Sequence, residues 1–175
     1  MKLAIIAAST ASVLALAAIP AAASAADQWS GWSGSVGYSD TNVSKGGPDV
    51  GGVTGRLSWK SNQFWGVEGE GSFGAKKDTI AGTEYKLNDQ FAGYLTATAP
   101  ISTNFDIFAR VGYGTTNIKT TPVGGSGSDQ SWNYGAGAEW FWDNHNGLRG
   151  DYLRENFQKG GGDANVWSAS YVRRF

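Results

Sequence analysis

The stretch Ala164-Asn-Val-Trp-Ser-Ala-Ser-Tyr-Val-Arg-Arg-Phe175 decides the fold. Trp167, Tyr171 and Phe175 share one parity, so an extended strand sets all three rings on one face. Ser168, Ser170 and Arg174 occupy the other parity. A period of two between an aromatic face and a small or polar face predicts a strand that meets a greasy surface on one side only. Arg173 breaks the pattern, since it has the parity of the aromatics.

Composition narrows the class. The 175 residues make one domain's worth of chain, with no cysteine to build disulfides or thiolate metal sites. Charge is balanced, 14 basic against 15 acidic residues, which excludes the basic excess of a nucleic-acid binder. Glycine reaches 26, and the chain carries 8 Trp, 7 Tyr and 8 Phe. Mean hydropathy is negative, so no helical membrane bundle follows the first twenty residues. Glycine and aromatics at negative hydropathy suit a barrel whose strands are apolar on one face.

Met1–Ala26 reads as a cleaved secretory signal peptide: Lys2, the apolar run Leu3–Ala18, Pro20, then small residues that allow cleavage after Ala25 or Ala26. Residues 27–175 then form the mature domain. No helical period runs through it. Alternating segments of about ten residues are expected instead, at Trp29–Ser39, Gly52–Lys60, Phe64–Phe73, Asp89–Ala99, Phe105–Thr115, Ser131–Phe141, Gly147–Phe157 and the closing stretch. Polar loops are expected over Asp40–Gly51, Gly74–Asn88, Thr116–Gln130 and Gln158–Asp163. Short turns are expected at Ser61-Asn62, Pro100–Asn104 and Asp143–Asn146.

Long and short connections alternate, as in an all-β, eight-stranded antiparallel up-and-down barrel with both termini at one end. Strands of about ten residues, rising about 3.3 Å each and tilted by about 40°, span roughly 25 Å, the height of an outer-membrane apolar band. Levelling the short turns puts Trp32, Trp59, Trp65, Phe105, Trp140, Trp142 and Phe175 at one height. Tyr38, Phe73, Tyr113, Trp132, Tyr152 and Trp167 fall at the other. These are two aromatic girdles, placed where rings would sit at two membrane interfaces.

On this pattern and the terminal aromatic, the chain resembles the small eight-stranded outer-membrane barrels, the OmpA-like transmembrane domain and the opacity-type proteins of the porin family. The resemblance implies a cell outer membrane location in a Gram-negative bacterium. It also implies that Tyr171 and Phe175 belong to the signal read by the barrel-assembly machinery, with outer-membrane lipids and lipopolysaccharide as partners and a monomeric state. Arg173 departs from the lipid-facing pattern, but near the periplasmic interface a charge costs only about 0–1 kcal/mol. The chain stops at Phe175, so no peptidoglycan-binding domain is expected from it.

Inward parity collects Arg56, Glu68, Glu70, Arg110, Glu139, Arg149, Asp151 and Arg174. Glu68 and Glu70 have the spacing of an acid–base pair or a metal site. An eight-stranded barrel has room for little beyond its own side chains, however, and buried charges must pair. A structural polar network is therefore expected, with Arg56 beside Glu68 and Glu139 beside Arg149. His145, the one histidine, falls in a short turn, away from any outer-leaflet chemistry. Gly124-Gly-Ser-Gly lacks the strand-to-helix context of a phosphate loop. No catalytic residue, cofactor or metal is expected.

Lys45, Lys76, Lys77, Lys86, Lys119 and Lys159 lie in or beside the outer loops, while all six arginines fall in strands. Asp40, Asp49, Asp78, Glu84, Asp129 and Asp163 share those loops and nearly cancel the lysines. Arg154, of outward parity near the upper rim, would sit among lipid headgroups. The functional expectation is a non-enzymatic outer-membrane barrel with a structural or surface-contact role. A narrow porin is the first alternative and a secreted soluble ligand-binding barrel the second; the latter requires an apolar interior, which this polarity reverses.

Overall fold

The computed structural model describes residues 29–44, 49–80, 83–121, 126–158 and 162–175. The export segment expected over Met1–Ala26, and Lys45, Gly124, Gly125 and Lys159, lie outside them. The strands are β1 (Gly31–Val43), β2 (Asp49–Lys60), β3 (Trp65–Ile80), β4 (Thr83–Ser102), β5 (Phe105–Thr121), β6 (Ser126–Phe141), β7 (Asn146–Phe157) and β8 (Asp163–Arg174). Each pairs antiparallel with its sequence neighbour, and β8 returns to β1, so the sheet closes into a barrel with no edge.

The seam between first and last strands is fully zipped, from Ser33 opposite Arg174 to Val43 opposite Ala164. Phe175 extends it by one bond, its amide donating to the Trp32 carbonyl at 2.9 Å. The closing stretch thus takes the place its alternation requires.

The outer connections differ from expectation. The segments read as loops over Gly74–Asn88 and Thr116–Gln130 are largely strand, since β3 runs to Ile80, β4 begins at Thr83, β5 runs to Thr121 and β6 begins at Ser126. Asp40–Gly51 likewise belongs in part to β1 and β2. The reason is physical: a hairpin satisfies its backbone donors and acceptors by pairing, whatever its side chains. Polar residues on both faces carry no alternation, so such a strand reads as loop. At the other end, Pro100 lies within β4 rather than in a turn. Register slips between Pro100 and Ser102 there, as proline's missing donor requires.

The barrel is inverted relative to a soluble protein. Its buried residues include ten ionisable ones, whereas Trp32, Val53, Leu57, Val67, Leu95, Val111 and Trp167 are exposed on the outer wall. An apolar outer wall around a charged interior rules out the soluble ligand-binding alternative, which needs the opposite arrangement.

Candidate functional site in the barrel lumen

The interior is filled in layers. At its middle, Arg56, Arg110 and Arg149 face Glu68, Glu70, Asp151 and Glu139, all buried. Arg110 is the hub: it donates to Glu68 at 2.9 Å, to Glu70 at 2.8 Å and to Asp151 at 2.5 Å. Arg149 binds Glu68 through two nitrogens, at 2.6 and 3.1 Å, and donates to Asp151 at 3.2 Å. Arg56 donates to Glu70 at 2.6 Å and to the hydroxyls of Ser170 and Ser168 at 3.0 and 3.1 Å. The guanidinium planes also stack, Arg110 on Tyr94 at 4.6 Å and Arg149 on Phe108 at 4.2 Å.

Both expected pairings form, Arg56 with Glu68 at 3.9 Å and Arg149 with Glu139 at 3.5 Å, but neither is its arginine's shortest contact. Arg56 sits opposite Glu70 in the ladder, and Glu68 opposite Ser58. Arg56 therefore takes Glu70 as its partner, with Glu68 at 3.9 Å. Arg149 is opposite Glu139, as expected, but reaches it only at 3.5 Å because its fork is turned across the lumen to Glu68. Strand tilt brings non-neighbouring strands to one height, which the spacing of neighbours does not reveal.

Below this plug, at the end with the short turns, Arg174 donates to Asp106 at 2.7 Å and lies 3.5 Å from the centre of the Phe141 ring. Lys60 adds a second cation 3.6 Å from Asp106. Above the plug, Tyr94, Leu153 and Val166 form an apolar collar. On one wall, the hydroxyls of Ser39, Thr54 and Ser72 form a chain with links of 2.7 and 2.8 Å. The lumen is thus lined by a layer of paired charge, an apolar collar and, toward the short turns, Arg174.

The outer wall holds the expected girdle residues. Trp32 is opposite Trp59, and Phe105 opposite Trp140, at the short-turn level. Trp65 is opposite Ala97 there. At the other level, Tyr113 meets Trp132 edge-on at 5.3 Å and Tyr152 meets Trp167 at 4.8 Å. Tyr38 is opposite Val53, whose other neighbour is Phe73. Tyr171 hydrogen-bonds Asn146 and stands 6.0 Å from Trp142, while Phe175 is exposed on the outside. Arg154, on the same wall, is tied to Asp163 and Asn165.

His145 lies in the short turn, where its amide donates to Asp143 at 2.7 Å. Asp143 also accepts from the side chain and amide of Asn146, and these bonds hold its carboxyl below the usual range. No group of three His, Cys, Asp or Glu that would hold a metal occurs among the described residues. Sequence reading left Glu155 and Asp106 out of its set of inward charges, and both are buried. Glu155 was available to it, since it shares the parity of Arg149 and Asp151 along β7.

Comparison with known proteins agrees with this architecture. A family model described as outer membrane protein beta-barrel domain matches residues 11–175. No curated protein matches the chain. Among solved structures, Ail, the attachment invasion locus protein of Yersinia pestis, in complex with the heparin analogue sucrose octasulfate, aligns with a TM-score of 0.65 at 18% identity, covering 84% of this chain and 100% of that one. The N-terminal barrel domain of Pseudomonas aeruginosa OprF gives 0.58 at 9% identity, covering 83% and 99%. Neisserial surface protein A gives 0.57 at 14%, covering 82% and 96%. At these identities the likeness is one of fold.

Proposed function

We propose, from the premise that this chain belongs to the outer membrane protein β-barrel domain family, that it is a non-enzymatic surface-contact protein. Its outer hairpins engage anionic groups such as the phosphates of lipopolysaccharide or sulfated sugars. Its family and fold are those of Gram-negative outer-membrane barrels; in this reading the lumen is a structural plug and the hairpins are the working surface. Export through a cleaved segment at residues 1–26, insertion by the barrel-assembly machinery and a monomeric state complete the reading.

One observation carries it. In the ladder of the extended hairpins, Lys77 on β3 is the partner of Lys86 on β4, and Lys86 is the partner of Lys119 on β5. Three lysines thus occupy one line across three strands. Like charges placed directly opposite are destabilising, and a multivalent anion relieves that cost. Asp78 and Glu84 hold other register positions, opposite Tyr85 and Thr121. The binding of a heparin analogue by Ail supports the same ligand class for a barrel of this fold.

The test is binding of the detergent-refolded barrel to immobilised sulfated oligosaccharide and to vesicles with and without lipopolysaccharide. Binding should weaken steeply with salt and be lost in the Lys77→Gln, Lys86→Gln, Lys119→Gln triple variant. Equal binding by that variant sinks the assignment. Single-channel recording addresses the porin alternative, and the filled lumen predicts no porin-sized steps.

A further inference from the structure

We propose that the outer end of the lumen holds a hard cation, bound by the Glu155 carboxylate together with Asn133 Oδ1, Ser131 Oγ and Thr116 Oγ1. The buried ionisable groups are six acids, Glu68, Glu70, Asp106, Glu139, Asp151 and Glu155, against four arginines. Lys60, itself only partly buried, reaches Asp106, which leaves one of these six buried carboxylates without a described cation. That carboxylate is Glu155. Its side chain is buried, its hydrogen-bond partner is the Gln90 amide, and no described cation forms an ion pair with it. The Tyr94, Leu153 and Val166 collar packs between this level and the arginine plug.

The surroundings of Glu155 are built for a positive guest. Asn133 is its ladder partner, Gly114 is opposite Ser131, and Thr116 is opposite Gln90, so the group occupies adjacent inward positions on four consecutive strands. Gly114 gives the floor: a Cβ there would lie 3.0 Å from the Asn133 amide nitrogen. That nitrogen donates to Tyr94 Oη at 3.2 Å, leaving Asn133 Oδ1 without a protein partner. Ser131 Oγ and Thr116 Oγ1 are also buried and unpartnered.

An amide oxygen and a carboxylate only accept, so they require a donor or a cation. Protonation would neutralise Glu155 but leave Asn133 Oδ1 unsatisfied. One oxygen-seeking cation answers the excess charge and the idle oxygens together, and hard cations take such mixed carboxylate, amide and hydroxyl sets. A single carboxylate among neutral oxygens suits weak, exchangeable binding of Na⁺ or Ca²⁺. Asp129, the ladder partner of Thr116, is the next inward acid toward the rim.

The measurement is the temperature at which the folded, detergent-refolded barrel loses its unboiled mobility. It is taken at fixed ionic strength in choline chloride, with Na⁺ or Ca²⁺ titrated in. One of the two should raise the midpoint saturably by about 2–4 °C in the native chain, with no rise in Glu155→Gln. An equal rise in Glu155→Gln places the effect on the outer acids and overturns the proposal. So does indifference to both ions, including the case in which stability falls with rising pH because Glu155 takes up a proton instead. If Glu155→Gln does not fold, terbium luminescence on the native barrel decides: saturation at one ion per chain, displaced by Ca²⁺ or Na⁺, supports the site, and its absence overturns it.

Discussion

Arg149 on β7 grips Glu68 on β3 with two parallel hydrogen bonds of 2.6 and 3.1 Å, although 81 residues separate them. A guanidinium fork on a carboxylate is the strongest kind of neutralising contact, and it has to be geometrically matched to form. Spanning the lumen, it ties two walls that are not neighbours in the sheet.

Removing one partner should therefore cost more than any surface pair. Arg149→Met leaves Glu139 without its ion-pair partner, while Glu68 keeps a second arginine, Arg110 at 2.9 Å, with Arg56 farther off at 3.9 Å. Because that second arginine remains, the expected loss lies near the low end for broken buried pairs, about 3 kcal/mol. Arg149→Lys should recover only part of it, since an ammonium cannot form the fork. Urea unfolding in detergent micelles reads both, and two variants of native stability would refute the network's structural role.

Glycines on the two faces should respond oppositely. A Cβ on inward Gly137 would lie 2.5 Å from Asp151 Cβ and 2.6 Å from the Phe108 ring. Gly137→Ala is expected to destabilise by about 1–3 kcal/mol through overpacking. Outward Gly69 has nothing within 4 Å of its added Cβ. Gly69→Ala should be neutral or stabilising by about 0.5 kcal/mol, because it restricts the unfolded chain. The same unfolding titration compares them, and equal losses at both would contradict the assigned faces.

Phe175 is exposed on the outer wall and adds one backbone bond beyond β8. Phe175→Ala should thus refold in detergent with little change of stability, yet insert more slowly when the assembly machinery is present. Pulse-labelled heat-modification assays in cells, set beside refolding of the pure protein, separate the two. A variant that inserts at the native rate removes Phe175 from the assembly signal.

The short turn before β7 should weaken in acid. Hydrogen bonds from the Asn146 side chain and from the amides of Asn146 and His145 lower the Asp143 carboxyl. A lowered folded value means that its contribution is present above the unfolded value and is lost as pH falls through the folded one, below about pH 4. Asp143→Ala should accordingly be less stable than the native chain at neutral pH, with the gap narrowing on acidification. Midpoints of heat modification across pH 2–7 (an assay range of about five units, chosen to bracket an ordinary carboxyl) would show it, and a constant gap would not fit.

Alternation alone carried the reading a long way. Arg56, Glu68, Glu70, Arg110, Glu139, Arg149 and Asp151 all have inward parity and all are buried. Parity is a local property, fixed by the pleat of a strand. The two expected ion pairs form, but parity and height could not give the shorter contacts. The expected neighbour of Arg56 was Glu68, but the ladder puts Glu70 opposite it. The polar hairpins stayed hidden for a related reason. Lys77, Lys86 and Lys119 line up only once β3, β4 and β5 are seen to continue beyond the apolar belt.

The membrane-level parts of the strands, their two faces, the aromatic levels and the closing role of Ala164–Phe175 were legible in the sequence, because each depends on a period of two and on which side of a strand meets apolar surroundings. Only the tertiary structure decided which charges meet. Closure with tilted strands sets heights across the lumen, bringing Arg149 to Glu68. It also leaves Glu155 above an apolar collar with an amide for company. Those distances follow from the register of all eight strands at once, and no single segment contains them.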